Sequence, residues 1–332
     1  MAFSQARPHR RQHDNPGGDD ARGRDATTPS DIPKLGWRDI LLRVKDAVSE
    51  KSLGLIAAGA AFYAFIAIPS GIAALISIYG LMFNPASVER QIESFQSVMP
   101  QQAADIILDE LSFLTSQPPQ NLGIGLLVSL ALALWSANSA TTSIMTALNV
   151  AYSEREKRGL IKYYAEALLI TLASVLFVII SLTLIAVLPA VINFLPLGDI
   201  GRTLASLSRW PVLVALFVFA LSLAYRYMPS RSKPKWRWVT WGAVAGGLLW
   251  IAASYGFSFY VSHFSSYDKT YGSLAGVVLL LMWLYVSNYA VLLGAQLDAE
   301  IEHQTARDST TGHPKPLGRR GAKMADTVGE EK

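Results

Sequence analysis

A run of hydroxyl and amide side chains interrupts a segment that is otherwise apolar enough to cross a membrane. The stretch LWSANSATTSIMTALNVAY (134–152) carries most of them, and two further apolar segments contribute one each. Neutral groups of this kind can join helices by hydrogen bonds, line a path for a ligand, or mark where a helix leaves the lipid. The candidate polar or ligand-binding residues are Tyr63, Ser136, Asn138, Ser139, Thr142, Asn149 and Asn288.

Residues that could support catalysis are sparse by comparison. The chain has no cysteine and five histidines, and no two histidines have a spacing that suits a shared metal ion. His263, Asp268 and Lys269 lie close together in the sequence, but a short polar connection between helices has the same composition. The sequence predicts no catalytic, cofactor or metal site, and no enzymatic activity.

The composition indicates a membrane protein. Of 332 residues, 51% are hydrophobic and only 16% are charged, and the mean hydropathy is +0.30. Because lipid cannot satisfy backbone polar groups, the long apolar runs are expected to be helices. The predicted fold class is all-α, a bundle of six transmembrane helices at about 54–82, 122–147, 165–188, 210–228, 239–261 and 272–296.

The distribution of basic residues predicts the orientation. With the N-terminus inside, the cytoplasmic segments hold 25 Lys and Arg residues and the outer segments hold four. Both termini are therefore expected in the cytoplasm, where the basic rim would contact anionic lipid headgroups; the basic pI of about 9.2 then requires no nucleic acid. Residues 1–35 and 305–332 are polar enough to be predicted as disordered tails, which leaves 36–304 as the membrane domain.

Two features of the first half of the chain break the regular pattern. Pro69 lies inside the first span, where a missing hydrogen bond predicts a kink. The segment between the first two spans has apolar residues at spacings of three and four, which predicts an amphipathic helical segment on the outer face. The sequence leaves open whether this segment forms a lid or a brace.

Four motifs in order resemble the YihY/BrkB family of bacterial inner-membrane proteins. They are AAGAAFYAF in the first span, LWSANSATTSIMTALNVAY, YRYMPSRSKPKWRWVTWGA from Tyr225 and YGSLAGVVLLLMWLYVSNYAVLLGAQLDAEIE from Tyr271. The resemblance covers about residues 35–305 and implies a six-helix protein of the plasma membrane. It implies less about activity, because members carry labels of ribonuclease BN, of virulence or serum resistance, or of a transporter or lipid-handling role. Gln296 stands where relatives often have Glu.

Two functions remain open from the sequence. The first is a transporter or flippase-like protein for an amphiphilic or anionic envelope compound, with Arg158 and Arg226 as contacts to headgroups or anions. The second is a structural or regulatory membrane protein in which the polar groups serve packing. In the predicted topology the polar stretch lies in the inner half of the membrane. The pairs Gly242/Gly246 and Gly272/Gly276 favour close packing within one subunit and leave a homo-oligomer open.

Overall fold

The structure, a computed structural model, describes residues 20–82, 119–194, 199–263 and 274–332. These ranges contain no strand, only an isolated bridge between Pro234 and Thr310 and a 3-10 turn at Pro29–Asp31. The prediction of an all-α fold is confirmed. The helices are α1 (Lys34–Glu50), α2 (Leu53–Met82), α3 (Pro119–Ala151), α4 (Leu160–Phe194), α5 (Asp199–Tyr227), α6 (Trp236–His263), α7 (Ala275–Glu302) and α8 (Lys323–Asp326).

The six long helices α2–α7 fall on the six predicted spans. By length and hydropathy, four segments of the described chain are candidate membrane spans: 160–181, 210–227, 236–263 and 275–302. A fifth results if α1 and the first part of α2 form one bent span. The structure thus shows a multi-pass membrane protein, while the count of six spans stays a prediction. The predicted outer amphipathic segment falls on residues 83–118, outside the described ranges.

Helix α7 occupies the centre of the bundle. It packs along α6 and also contacts α2 and α3, while α2 packs along α3. Glycines set the closest crossing: a Cβ on Gly294 of α7 would lie 2.6 Å from the Cα of Gly246, and one on Gly242 would lie 2.6 Å from the Gly294 carbonyl oxygen. Gly242 and Gly246 therefore pack within the chain, against a third glycine. A Cβ on Gly276 would meet no atom of the described residues within 4 Å.

Helix α2 runs through Pro69 as one helix from Leu53 to Met82. A sharp change of direction lies earlier, where α1 and the first part of α2 meet at 64°. Ser52, at this junction, has a φ of 51°, in the left-handed region that L residues seldom adopt. The chain therefore turns sharply just before the first predicted span begins.

The described parts of both terminal segments are packed against the bundle, contrary to the prediction of disordered tails. Thr305 and Ser309 are fully buried, and Met324 belongs to the main apolar core. Arg320 donates hydrogen bonds to four backbone carbonyls, those of Ala306, Arg307, Lys315 and Ala325. A segment with few apolar residues can fold here because its polar groups find partners within the protein.

Candidate functional site

A groove lies between α2, α3 and the beginning of α4. It has a volume of about 430 Å³, within the range of small-ligand sites. We call it the polar groove, because hydroxyl groups of α3 and three tyrosines line much of it. Its lining residues are Ile56, Gly59, Ala60, Tyr63, Ser139, Thr142, Ser143, Thr146, Ala147, Tyr163 and Tyr164.

The α3 hydroxyls reach the polar groove because the helical repeat places residues three and four apart on one face. Ser139 Oγ donates to the Trp135 carbonyl at 2.9 Å, and Thr142 Oγ1 donates to the Ser139 carbonyl at 3.0 Å. Thr146 Oγ1 donates to the Thr142 carbonyl at 2.9 Å. Since each proton is directed at the helix backbone, the hydroxyl oxygens face the groove as acceptors.

Three tyrosines form the more exposed wall. Tyr63 and Tyr164 expose 45% and 53% of their surface. Tyr163 is tied to α3, where its hydroxyl donates to the Thr142 carbonyl at 3.2 Å. The combination of acceptor oxygens and aromatic walls suits an uncharged polar group attached to an apolar body.

The structure brings together only part of the predicted polar face. Tyr63, Ser139 and Thr142 line the polar groove, whereas Asn288 donates to the Leu284 carbonyl on α7 at 2.8 Å. Asn149 is buried and accepts a hydrogen bond from the Ser230 backbone N–H at 2.7 Å, so it joins two inner connections.

The remaining two members, Ser136 and Asn138, are partly buried on α3 and do not line the polar groove. The Oδ1 atom of Asn138 is buried and has no hydrogen-bond partner. Nearby, Thr141 and Thr171 join α3 to α4 through their hydroxyls at 2.7 Å. This part of the polar stretch therefore packs helices together.

Arg158 is paired with protein groups and is little exposed. Its guanidinium contacts Glu156 and Glu166 at 2.7 Å and the Met228 carbonyl at 3.0 Å, with 9% of the side chain exposed. The hydrogen bonds from Arg158 hold the pKa of Glu156 at about 2, against an ordinary value of 4.5. Arg158 thus locks the α3–α4 connection to the end of α5.

Arg226 is also enclosed. Its guanidinium lies over the Trp236 ring, 4.5 Å from the ring centre, and donates to the Pro234 carbonyl. Its Nε atom is buried without a hydrogen-bond partner. Both arginines, predicted as contacts to headgroups or anions, are therefore enclosed by protein groups: Arg158 by carboxylates of its own connection and of α4, and Arg226 by the Pro234 carbonyl and the Trp236 ring.

The structure reveals a second polar site at the cytoplasmic end of α7 in the predicted topology. Asp298, Glu300 and Glu302 are each at least 96% buried. We call these three carboxylates and their partners the inner-end cluster. The sequence shows only that acidic residues alternate at the end of the last predicted span. Nothing in this pattern indicates that the fold buries them.

Each carboxylate of the inner-end cluster has different partners. Asp298 accepts hydrogen bonds from the Tyr152 hydroxyl at 2.9 Å and the Gly242 backbone N–H at 3.2 Å. Glu302 pairs with Arg231 and accepts from the Ser309 hydroxyl at 2.6 Å. This brings the α3–α4 connection, the α5–α6 connection and the C-terminal segment onto the end of α7.

Glu300 anchors α1 to the same end of the bundle. Arg43 contacts Glu300 at 2.8 Å and Gln304 at 2.7 Å, and both arginine and glutamate are more than nine-tenths buried. Lys51 donates to Gln296 at 2.8 Å, and Gln296 donates in turn to Glu300 at 3.0 Å. Gln296, where the family resemblance leads one to expect Glu, thus links a cation to a carboxylate.

The chain is a multi-pass membrane protein that resembles other membrane proteins. It is 32% identical over 57% of its length to a UPF0761 membrane protein of Pseudoalteromonas atlantica, of which 61% is covered. A family model described as Virulence factor BrkB matches residues 44–317, so the chain belongs to this family.

Two further relatives extend the comparison. The ribonuclease-like protein YfkH of Bacillus subtilis is 32% identical over 65% of this chain and 79% of its own. The UPF0761 membrane protein NTHI0384 of Haemophilus influenzae is 25% identical over 76% of this chain and 91% of its own. No solved structure matches the chain.

Proposed function

We propose that this protein moves an amphiphilic envelope compound between membrane leaflets and that the polar groove binds its head. The observation that carries the proposal is the groove itself, which brings Tyr63, Ser139 and Thr142 to one open cleft. On the Tyr164 side of α4, one and three turns further along the helix, Leu168 and Val175 are apolar and expose 41% and 46% of their surface. A ligand could therefore hold its head in the groove and keep its chains in lipid.

The chemistry of the groove narrows the ligand class. Among the described residues its lining includes no charged side chain, and the α3 hydroxyls act mainly as acceptors. A head that donates hydrogen bonds, such as a sugar or another polyhydroxyl group, matches this surface better than a bare anion. A larger groove of about 820 Å³ between α5 and α6 is mainly apolar and suits lipid chains instead.

We place the protein in the bacterial inner membrane with both termini in the cytoplasm. The support is the excess of basic residues in the predicted inner segments. In this orientation Tyr63 lies about 15 Å from the start of α2 at helical rise, and the polar groove opens in the inner half of the membrane.

A structural or regulatory role is the second candidate. It is favoured by the hydroxyls that bond to their own helix and by the Thr141–Thr171 link between α3 and α4. Under this alternative the polar groove holds only lipid, and altering its shape changes no transport.

A blocked groove separates these two roles. Gly59 lines the polar groove, and a Cβ there would meet no atom within 4 Å in the described part of the chain, so Gly59→Phe should fill the groove without disturbing its neighbours. Gly256→Phe is the matched control, because Gly256 is equally open but lies on α6 away from the groove. Both variants and the wild type are reconstituted in vesicles with leaflet-labelled phospholipids and glycolipids.

We expect faster movement of at least one glycolipid with wild type and Gly256→Phe, and loss of this movement with Gly59→Phe. Absence of movement for every lipid, with protein shown to be folded, contradicts the proposal. Equal activity of all three proteins would support transport but contradict a role of the polar groove in it.

Because the Bacillus relative has a ribonuclease-like name, ribonuclease activity should also be tested in this protein. Within the described ranges, no group of three or more His, Asp or Glu residues could hold a metal ion. We expect protein purified free of soluble nucleases to leave a tRNA precursor intact in the presence of Mg²⁺. Cleavage that persists through purification contradicts this expectation.

A further inference from the structure

Helix α1 buries one face against the protein. Its inward residues contact the end of α7 and both terminal segments: Asp39 pairs with Arg22 at 2.6 Å and accepts a hydrogen bond from the Lys332 backbone N–H. Arg43 joins α1 to Glu300. The buried residues of α1 are Gly36, Asp39, Ile40, Arg43 and Ala47.

The opposite face of α1 combines basic and apolar residues. At 100° per residue, Lys34, Arg38 and Lys45 fall within an arc of about 40°, and all three are exposed. Leu41 lies beside this row and exposes 58% of its surface, although it is a large apolar side chain. Such a combination is typical of helices that lie in the plane of a membrane surface.

An aromatic pair indicates the depth of this face of α1 relative to the membrane. Trp37, one turn before Leu41 on the same flank, contacts Trp241 with ring centres 6.0 Å apart. Trp241 lies near the start of α6 and is itself exposed. In the predicted topology the start of α6 lies at the inner membrane surface, where tryptophan is enriched near lipid headgroups. Leu41, one turn further along the same side of α1, is therefore expected at the same headgroup depth.

The bend between α1 and α2 supports the same placement. With α2 crossing the membrane, an angle of 64° directs α1 away from the crossing axis. If α1 instead continued through the hydrocarbon as part of a broken span, the row of Lys34, Arg38 and Lys45 would lie in lipid, which strongly disfavours charge.

We propose that α1 is a membrane-surface helix that inserts Leu41 at the inner leaflet, beside the partly buried Trp37, and binds anionic lipid headgroups through Lys34, Arg38 and Lys45. The partner is an anionic lipid surface, and the terminal segments cover the other side of the helix. This inference does not depend on transport. It also assigns the contact with anionic headgroups to α1, because Arg158 and Arg226 already have protein partners.

The absence of cysteine in the chain allows the position of α1 to be measured with single introduced labels. Leu41→Cys and His313→Cys are spin-labelled in the full-length protein in nanodiscs; His313 is exposed in the C-terminal segment and serves as the control. We expect the label at 41 to be accessible to oxygen and shielded from a water-soluble nickel chelate, and the label at 313 to show the reverse. Equal accessibility of both labels to the chelate would overturn the insertion.

Headgroup preference is measured at the same place. A fluorophore on Leu41→Cys is quenched by headgroup-labelled phosphatidylglycerol or phosphatidylcholine in otherwise matched nanodiscs. We expect stronger quenching by phosphatidylglycerol, and a fall of this preference by about fivefold or more in Lys34→Gln/Arg38→Gln. The control Lys315→Gln/Arg319→Gln removes two exposed basic residues elsewhere and should keep the preference.

Because all four positions are exposed, both double variants should fold, and thermal unfolding checks this. No preference in the wild type, or an equal fall in both double variants, would overturn the assignment to α1. Preserved preference in Lys34→Gln/Arg38→Gln would do the same.

Discussion

The polar groove and the inner-end cluster both place polar groups among apolar helices, but the two regions satisfy these groups in opposite ways. In the groove, Ser139 and Thr142 bond to carbonyls of their own helix and leave their oxygens facing an open cleft. In the cluster, Asp298 and Glu302 bond to groups of other segments and are sealed from solvent.

The difference separates a surface that can receive a ligand from one that holds the protein together. A hydroxyl bonded to its own helix contributes little to tertiary structure, so its replacement should affect binding more than folding. Replacing a buried carboxylate that has a distant partner should affect folding more than binding, because removal of either member leaves the other buried without its partner. The predictions below test this division, from the largest expected change in stability to the smallest.

Arg43→Ala should give the largest loss. Without the guanidinium, Glu300 and Gln304 stay buried without their main partner, and we expect the free energy of unfolding to fall by about 3–5 kcal/mol. Thermal unfolding of the purified protein in detergent measures the loss. Lys45→Ala, exposed on the same helix, is the control and should change stability by about 0.5 kcal/mol or less.

Replacing both members of this pair refines the test. Arg43→Met with Glu300→Leu should recover much of the stability, because an apolar pair leaves no buried charge. If Arg43→Ala were no worse than Lys45→Ala, the inner-end cluster would not stabilise the bundle and the comparison would fail.

Gly294→Ala should destabilise by about 1–3 kcal/mol, because the added Cβ lies 2.6 Å from the Cα of Gly246 and forces α6 and α7 apart. Gly276→Ala lies on the same helix with no atom within 4 Å of its Cβ and is the matched control. Chemical denaturation of both variants checks the difference. Equal stability of the two would mean that the glycine crossing is not closely packed.

The Arg158–Glu156 pair should stabilise the protein in a pH-dependent manner. Because the pKa of Glu156 is lowered from 4.5 to about 2, its contribution is complete above pH 4.5 and is lost as pH falls toward 2. Allowing for solvent screening of a side chain that is 31% exposed, we expect about 1–2 kcal/mol. The measurement compares unfolding of wild type and Glu156→Gln between pH 7 and the lowest pH at which both fold reversibly. A constant difference across this range would contradict the assignment.

Ser139→Ala and Thr142→Val should have the smallest effect on stability, within about 0.5 kcal/mol of wild type. In the vesicle assay, however, both should slow lipid movement, since each removes an acceptor from the polar groove. Thr141→Val is the opposite case: it breaks the contact with Thr171 and should lower stability while sparing movement. A stability loss in all three variants would erase the distinction between groove and packing surface.

Sequence reasoning located much of the polar groove but little of the inner-end cluster. The helical repeat places Ser139 and Thr142 on one face of α3 whatever surrounds them, so local spacing sufficed. Asn149 and Asn288 are polar and neutral like the groove residues but lie outside the groove. Residue type alone does not show which helices meet. Arg158 and Arg226 looked like surface cations. Their main partners lie within eight residues along the chain, but irregular connections have no repeat that would show which groups meet.

Composition and hydrophobic periodicity by themselves determined the membrane class, the all-α fold and the positions of the long helices, because each depends on residues close together in the chain. Only the tertiary structure decided that both terminal segments pack onto the bundle and that the end of α7 is a closed polar site. Arg43 and Glu300 are 257 residues apart, and Tyr152 and Asp298 are 146 apart. No local pattern encodes such pairs, since their hydrogen bonds form only when the fold brings the helix ends together and excludes water.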